Sequence, residues 1–154
     1  MKNEEVVRLF DQYAGDIYRL ALSYLGSKQD AEDVVQEVYL KLLSKVLTLK
    51  PDYEKAYLMK MTVNRCKNLL KSSAYKDYVA LEDAALTRFC ELTDEERELC
   101  DVLMRMDAKT RVPLYLYYYE GYQYKEIARI LKISESAVAM RIKRGKEQLK
   151  EKLE

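Results

Sequence analysis

Between Gln123 and Gly145 the chain reads QYKEIARILKISESAVAMRIKRG, and this stretch limits the possible folds more than any other. With Ala128 as the small residue at which two short helices approach, the inward positions are Ile127, Leu131, Ile133, Val138 and Ile142, and all five are aliphatic. Ser134 stands where the second helix begins, because its side-chain oxygen can accept from an orphan backbone N–H. The spacing is that of a helix-turn-helix. Ser136, Ala139, Met140, Lys143 and Arg144 fall off the buried stripe, on the surface that would enter a major groove. Lys132 occupies the turn, where glycine is common and a side chain in left-handed geometry costs on the order of 1 kcal/mol. The plainer alternative is two packed helices with a solvated basic tail. The run Arg141, Lys143, Arg144 and Lys146 favours DNA instead, since cations there neutralise phosphates or read guanine edges.

The rest of the chain is written in the same idiom. Only four Gly and two Pro interrupt 154 residues, which favours an all-α protein built as two small helical domains. A first helix starts near Asn3 with Val6, Leu9, Phe10, Tyr13, Ile17, Leu20, Ala21 and Tyr24 on one face, and Gly26 stops it. Ser27 caps a second helix that turns Ala31, Val34, Val35, Val38, Leu42 and Leu43 inward and shows an acidic outer face. Pro51 ends a loop from Ser44. A third helix, about Asp52 to Ser72, buries Tyr57, Met59, Val63, Cys66 and Leu70. These three helices form a bundle over residues 1–75. Residues 76–92 are acidic and weakly patterned, as a linker would be, although Val79, Leu81, Leu86 and Phe89 would suit a docked helical turn. A second domain covers 93–154. It opens on a Thr93/Glu96 capping box, with Leu99, Val102, Leu103 and Met106 facing inward along its first helix. A further helix over Lys109 to Tyr119 tolerates Pro113 only in its first turn. The tyrosines Tyr115, Tyr117, Tyr118, Tyr119, Tyr122 and Tyr124 are expected mainly to pack with their hydroxyls at the surface. Tyr124 and Lys125 are the exception: they open the first helix of the motif, where a hydroxyl, an ammonium and free backbone donors suit a phosphate.

Several function classes drop out. The chain has no His, and no nucleophile elbow, phosphate-binding loop or GxGxxG, so no enzyme and no cofactor is expected. Cys66, Cys90 and Cys100 match no zinc spacing and read as quiet buried thiols. No apolar run approaches the ~20 residues that cross a bilayer, and MKNEEVVRLF is charged where a signal peptide is apolar, so a cytoplasmic protein without membrane insertion is expected. The net charge of +1 says nothing, but its distribution does. Lys60, Arg65, Lys67, Lys71 and Lys76 form a segment without acids, acids dominate between Asp77 and Asp107, and the balance turns basic again after Arg141. Two basic segments suggest two surfaces for phosphate.

Taken together, these features make the chain resemble a bacterial RNA polymerase sigma factor of the extracytoplasmic-function group, over nearly its whole length. The segment SKQDAEDVVQEVYLKLL is similar to the one with which that family binds a coiled coil of the largest polymerase subunit, which assigns Asp30, Asp33, Gln36 and Glu37 to polymerase. The segment AYLMKMTVNRCKNLLK is similar to the family's minus-ten helix, which implicates Lys60, Asn64, Arg65, Lys67 and Asn68 in holding the opened strand, with the loop from Thr48 to Glu54 as the pocket for an extruded base. The C-terminal motif would read the minus-thirty-five element through Tyr124, Lys125, Ser136, Ala139, Met140, Arg141, Lys143 and Arg144. Two departures stand out, since family members often carry Thr at Ala137 and a basic residue at Ala139; Ala139 and Met140 offer apolar contact, for instance to a thymine methyl. The resemblance implies core RNA polymerase and promoter DNA as partners, and an anti-sigma protein as a candidate regulator. The competing reading is a stand-alone helix-turn-helix regulator that binds an operator as a dimer. It leaves the acidic Asp30–Glu37 face unexplained and calls for a dimerisation surface that the sequence lacks. A metal or redox sensor using the three Cys is weaker still.

Overall fold

In the computed structural model, residues 3–45, 49–72 and 94–153 are described. The chain divides into two compact units, one from residues 1–76 and the other from 77–154. All regular structure in the described residues is helical.

In the N-terminal unit α1 spans Asn3–Leu25, α2 Lys28–Ser44 and α3 Glu54–Lys71. Gly26 ends α1 at φ 69°, a left-handed conformation that is cheap only for glycine, and its N–H reaches back to the Leu22 carbonyl. Ser27 is extended, and its hydroxyl oxygen accepts from the Asp30 N–H at 3.3 Å, so the expected cap is present. Lys50 is extended ahead of Pro51, and Pro51–Tyr53 makes a single 3₁₀ turn into α3, which therefore begins two residues later than its spacing suggests. α1 packs against both other helices. Val6, Leu9, Ile17 and Leu20 meet Val34, Val38 and Leu42 of α2 and Leu58, Met59 and Val63 of α3 in the core.

The inward face of α3 differs from the expected one. Leu58 and Thr62 are fully buried with Met59, Val63 and Cys66, whereas Tyr57 and Leu70 are half-buried. Thr62 is tolerated inside because its hydroxyl donates to the Leu58 carbonyl at 2.8 Å, one turn back. Phe10, Tyr13 and Leu43 are also half-buried, with Phe10 set edge-on against Tyr39 at 4.9 Å between ring centroids.

In the C-terminal unit α4 spans Asp94–Arg105, α5 Ala108–Tyr118, α6 Tyr124–Leu131 and α7 Glu135–Leu153. The expected linker and the Thr93 cap fall in residues 73–93, outside the described residues. Arg111 is buried and donates to the carbonyls of Met104 and Met106 at 3.3 and 2.8 Å, satisfying acceptors left open where α4 ends. Pro113 corrects the sequence reading: it lies inside α5, in the second turn, and removes the helical donor for the Lys109 carbonyl. Val112, Leu114 and Leu116 of α5, Ile127 and Leu131 of α6, and Val138 and Ile142 of α7 form the core. Ile133 is half-buried, and Ile130 joins the buried set.

The turn of the motif takes the geometry the sequence calls for. Lys132 is left-handed at φ 57°, ψ 46°, and Gly121 closes the preceding segment at φ 72°. Ser134 accepts from the Ala137 N–H at 3.0 Å. Glu126 adds a contact absent from the expectation, its carboxylate accepting from the Gln123 N–H at 3.1 Å. Gly145 lets α7 approach α5 closely: a Cβ there would sit 2.4 Å from Leu114 Cδ1.

Candidate polymerase and nucleic-acid interfaces

On α2, the 3.6-residue period places Asp33, Gln36 and Glu37 on one outer face, with Asp30 a turn earlier. Asp33 and Gln36 are exposed, while Asp30 and Glu37 are half-buried. Leu40, an apolar residue that sequence reasoning passed over, extends this face at 62% exposure. Gln36 also borders a shallow groove between α1 and α2, lined by Phe10, Ala14, Gly15, Tyr18, Glu32 and Val35.

The α3 surface carries Asn64 and Asn68 exposed, with Lys60, Arg65 and Lys67 half-buried. Arg65 does not simply project into solvent. Its Nη2 donates to Glu37 Oε1 at 3.1 Å while Nε contacts Oε2, so the guanidinium grips the carboxylate with two nitrogens. One residue assigned to polymerase and one assigned to the opened strand are thus paired to each other. Behind them Cys66 is a free, buried thiol, and burial pushes its pKa up to about 12.

The loop before α3 is corrected in one respect. Glu54, expected in the base pocket, is buried at 4% exposure and faces Arg8 of α1, whose Nη2 and Nη1 donate to it at 2.6 and 3.3 Å. That fork raises the pKa of Arg8. Glu54 anchors the start of α3, and Tyr53, 61% exposed, is presented outward together with Lys50, Pro51 and Asp52. Thr48 lies outside the described residues.

On α7, Ser136, Met140 and Lys143 share one exposed face with Ala139 half-buried at its edge, and Arg144 is exposed on the neighbouring flank. Arg141 is half-buried one 100° step from Met140 towards the core, so it is not brought together with the others. Lys125 is exposed and Tyr124 half-buried at the start of α6. The tyrosines divide. Tyr117 packs on Tyr124 at 5.1 Å, Tyr115 donates to Glu120 at 2.6 Å, and Tyr118 and Tyr119 are exposed. Lys146 Nζ lies 5.6 Å from the Tyr118 ring centroid, and hydrogen bonding to Tyr118 raises its pKa.

The sequence matches the sigma-70 region 2 family over residues 9–75 and the sigma-70 region 4 family over residues 91–149. It is similar to the extracytoplasmic-function RNA polymerase sigma factor SigE of Mycolicibacterium smegmatis, with 29% identity over 159 residues covering 97% of this chain and 61% of that protein. The chain belongs to the extracytoplasmic-function sigma factors. It spans less than two thirds of the length of SigE. Two solved structures share the fold of this sigma factor. RpoE from Bartonella quintana, crystallised with the anti-sigma factor NepR, has TM-score 0.68 and 17% identity and covers 97% of each chain. CnrH, in complex with the cytosolic domain of CnrY, has TM-score 0.70 and 22% identity and covers 99% of this chain and 89% of that one.

Proposed function

We propose that this sigma factor docks on core RNA polymerase through the α2 face of Asp30, Asp33, Gln36 and Glu37 and directs transcription initiation from promoters with two recognised elements. The α3 face of Lys60, Asn64, Arg65, Lys67 and Asn68 holds the opened minus-ten strand, with Tyr53 at its entrance. The surface of Tyr124, Lys125, Ser136, Ala139, Met140, Lys143 and Arg144 reads the minus-thirty-five element, with Arg141 at its flank. The domains are 1–75 and 93–154, joined by a linker over 76–92, so polymerase sets their separation and two modest contacts gain effective concentration. The observation that carries this reading is the match of two sigma-70 regions on one chain, each over a unit with its own charged outer face.

Strand opening on this scheme uses binding energy, trapping unstacked bases, and the protein itself catalyses no covalent step. Among the described residues no helix is long and apolar enough to cross a membrane, which suits a cytoplasmic subunit of polymerase. By analogy with RpoE, crystallised with the anti-sigma factor NepR, the reading includes an anti-sigma regulator that covers the polymerase-binding surface.

The test is copurification with bacterial core polymerase. Wild type is expected to bind, and an Asp33→Lys/Gln36→Ala variant, altered only at exposed positions, is expected to be lost. Equal recovery of both would remove polymerase from the α2 face.

A further inference from the structure

The Glu37–Arg65 contact joins two surfaces that the proposed function gives to two different partners. The two side chains are 38% and 32% exposed, so the pair is shielded enough to form yet open enough for either member to be taken by a competitor. Both carboxylate oxygens of Glu37 face one guanidinium. A cation arriving along the Asp33–Gln36 side of α2 competes directly with Arg65 for those oxygens. On the other side, Asn68 lies one turn beyond Arg65 on α3, so a phosphate held along that helix competes with Glu37 for the guanidinium.

We propose that the Glu37–Arg65 pair is an exchangeable latch coupling the two surfaces: a cationic group of polymerase that takes Glu37 frees Arg65 for a phosphate of the opened strand. Linkage makes the effect reciprocal, so strand binding at Arg65 also strengthens docking at Glu37. The inference rests on the assignment of these faces to polymerase and to single-stranded DNA. It adds that free sigma factor is held back from the strand by its own acidic face.

The experiment measures fluorescence anisotropy of a short, labelled, mixed-sequence DNA single strand titrated with the full chain at low salt. Glu37→Gln keeps the side-chain shape and removes the competing charge, and it is expected to tighten binding about fivefold, the low end for coupled sites. Asp33→Asn removes the same charge from the same helix and is expected to change binding less than about twofold. In an Arg65→Gln background the Glu37→Gln gain is expected to vanish. Glu37→Asp, which shortens the reach and keeps the charge, provides a second variant with an intermediate gain. The latch is overturned if Glu37→Gln binds no better than wild type, or if its gain appears equally with Asp33→Asn or persists without Arg65. Wild-type copurification with core polymerase separates the two levels: polymerase binding with no gain in Glu37→Gln sinks the latch alone, and no polymerase binding sinks the assignment beneath it.

Discussion

Arg65 on α3 holds Glu37 on α2 through two of its guanidinium nitrogens, across 28 residues of sequence. The contact ties α2 to α3 at the place where their proposed polymerase and strand faces meet. Removing Arg65 therefore breaks a helix–helix tie in addition to the strand contact proposed for it. For a pair about one-third exposed, the loss of the tie is expected to be small, below about 1 kcal/mol. Urea unfolding of Arg65→Gln measures it, and a larger loss would make Arg65 chiefly structural.

Arg8 and Glu54 are a different case because Glu54 is buried while Arg8 is half exposed. Arg8→Ala leaves a buried carboxylate without its fork and is expected to lower the midpoint of urea unfolding. Glu54→Gln, which leaves a neutral amide beside Arg8, is expected to cost less. Equal and negligible losses in the two variants would show that the pair does not anchor α3.

Gly145→Ala tests the close approach of α7 to α5. Alanine gains helix propensity worth about 1 kcal/mol. The new Cβ, however, would overlap Leu114 Cδ1 and Cγ, and Leu114 is itself buried in the core. Overpacking of about 1–3 kcal/mol is expected to win. In a Leu114→Val background the clash is relieved and the same substitution is expected to become neutral or stabilising. Thermal denaturation of the four proteins decides the sign.

Much of the fold was legible because its punctuation is local. Ser27, Ser134 and Gly26 act within a turn of themselves, and the five aliphatic positions of the motif repeat at helical spacing. What escaped depends on distance. Glu54 looks like an ordinary exposed loop acid until Arg8, 46 residues away, is folded against it. Thr62 reads as polar until its hydroxyl finds the Leu58 carbonyl, and counting Tyr57 and Leu70 inside in its place shifted the inner face of α3. Pro113 was misplaced because a short helix with a strong core tolerates one missing donor. The acidic and basic faces were legible as faces, but the ion pair between them is a tertiary fact.

Lys132 was legible in its position and in its strain. Because it is exposed and left-handed, Lys132→Gly is expected to stabilise the C-terminal unit by up to about 1 kcal/mol. Urea titration checks this. A loss of stability would mean that the lysine side chain makes a contact worth more than the strain.

Cys66 provides a pH-dependent signature. Its folded pKa of about 12 lies above the ordinary thiol value of 9.0, so below pH 9 both states keep the proton and the group contributes no pH dependence. As pH rises past 9 the unfolded chain releases the proton while the folded one retains it, so stability falls through the window towards 12. Between pH 8 and pH 10 the wild type is expected to lose about 1.4 kcal/mol more than Cys66→Ala does, from ~1.4 kcal/mol per pH unit. Equal pH dependence in the two proteins would mean that the thiol titrates normally when folded.

The most direct test of the whole scheme is transcription of fragmented genomic DNA from the source organism by its core polymerase, with and without this chain, followed by mapping of the transcript 5′ ends. A sigma factor of this architecture produces a set of start sites that appear only when it is added, each preceded by two short elements at a fixed separation. Start sites that are the same with and without the chain would contradict that function.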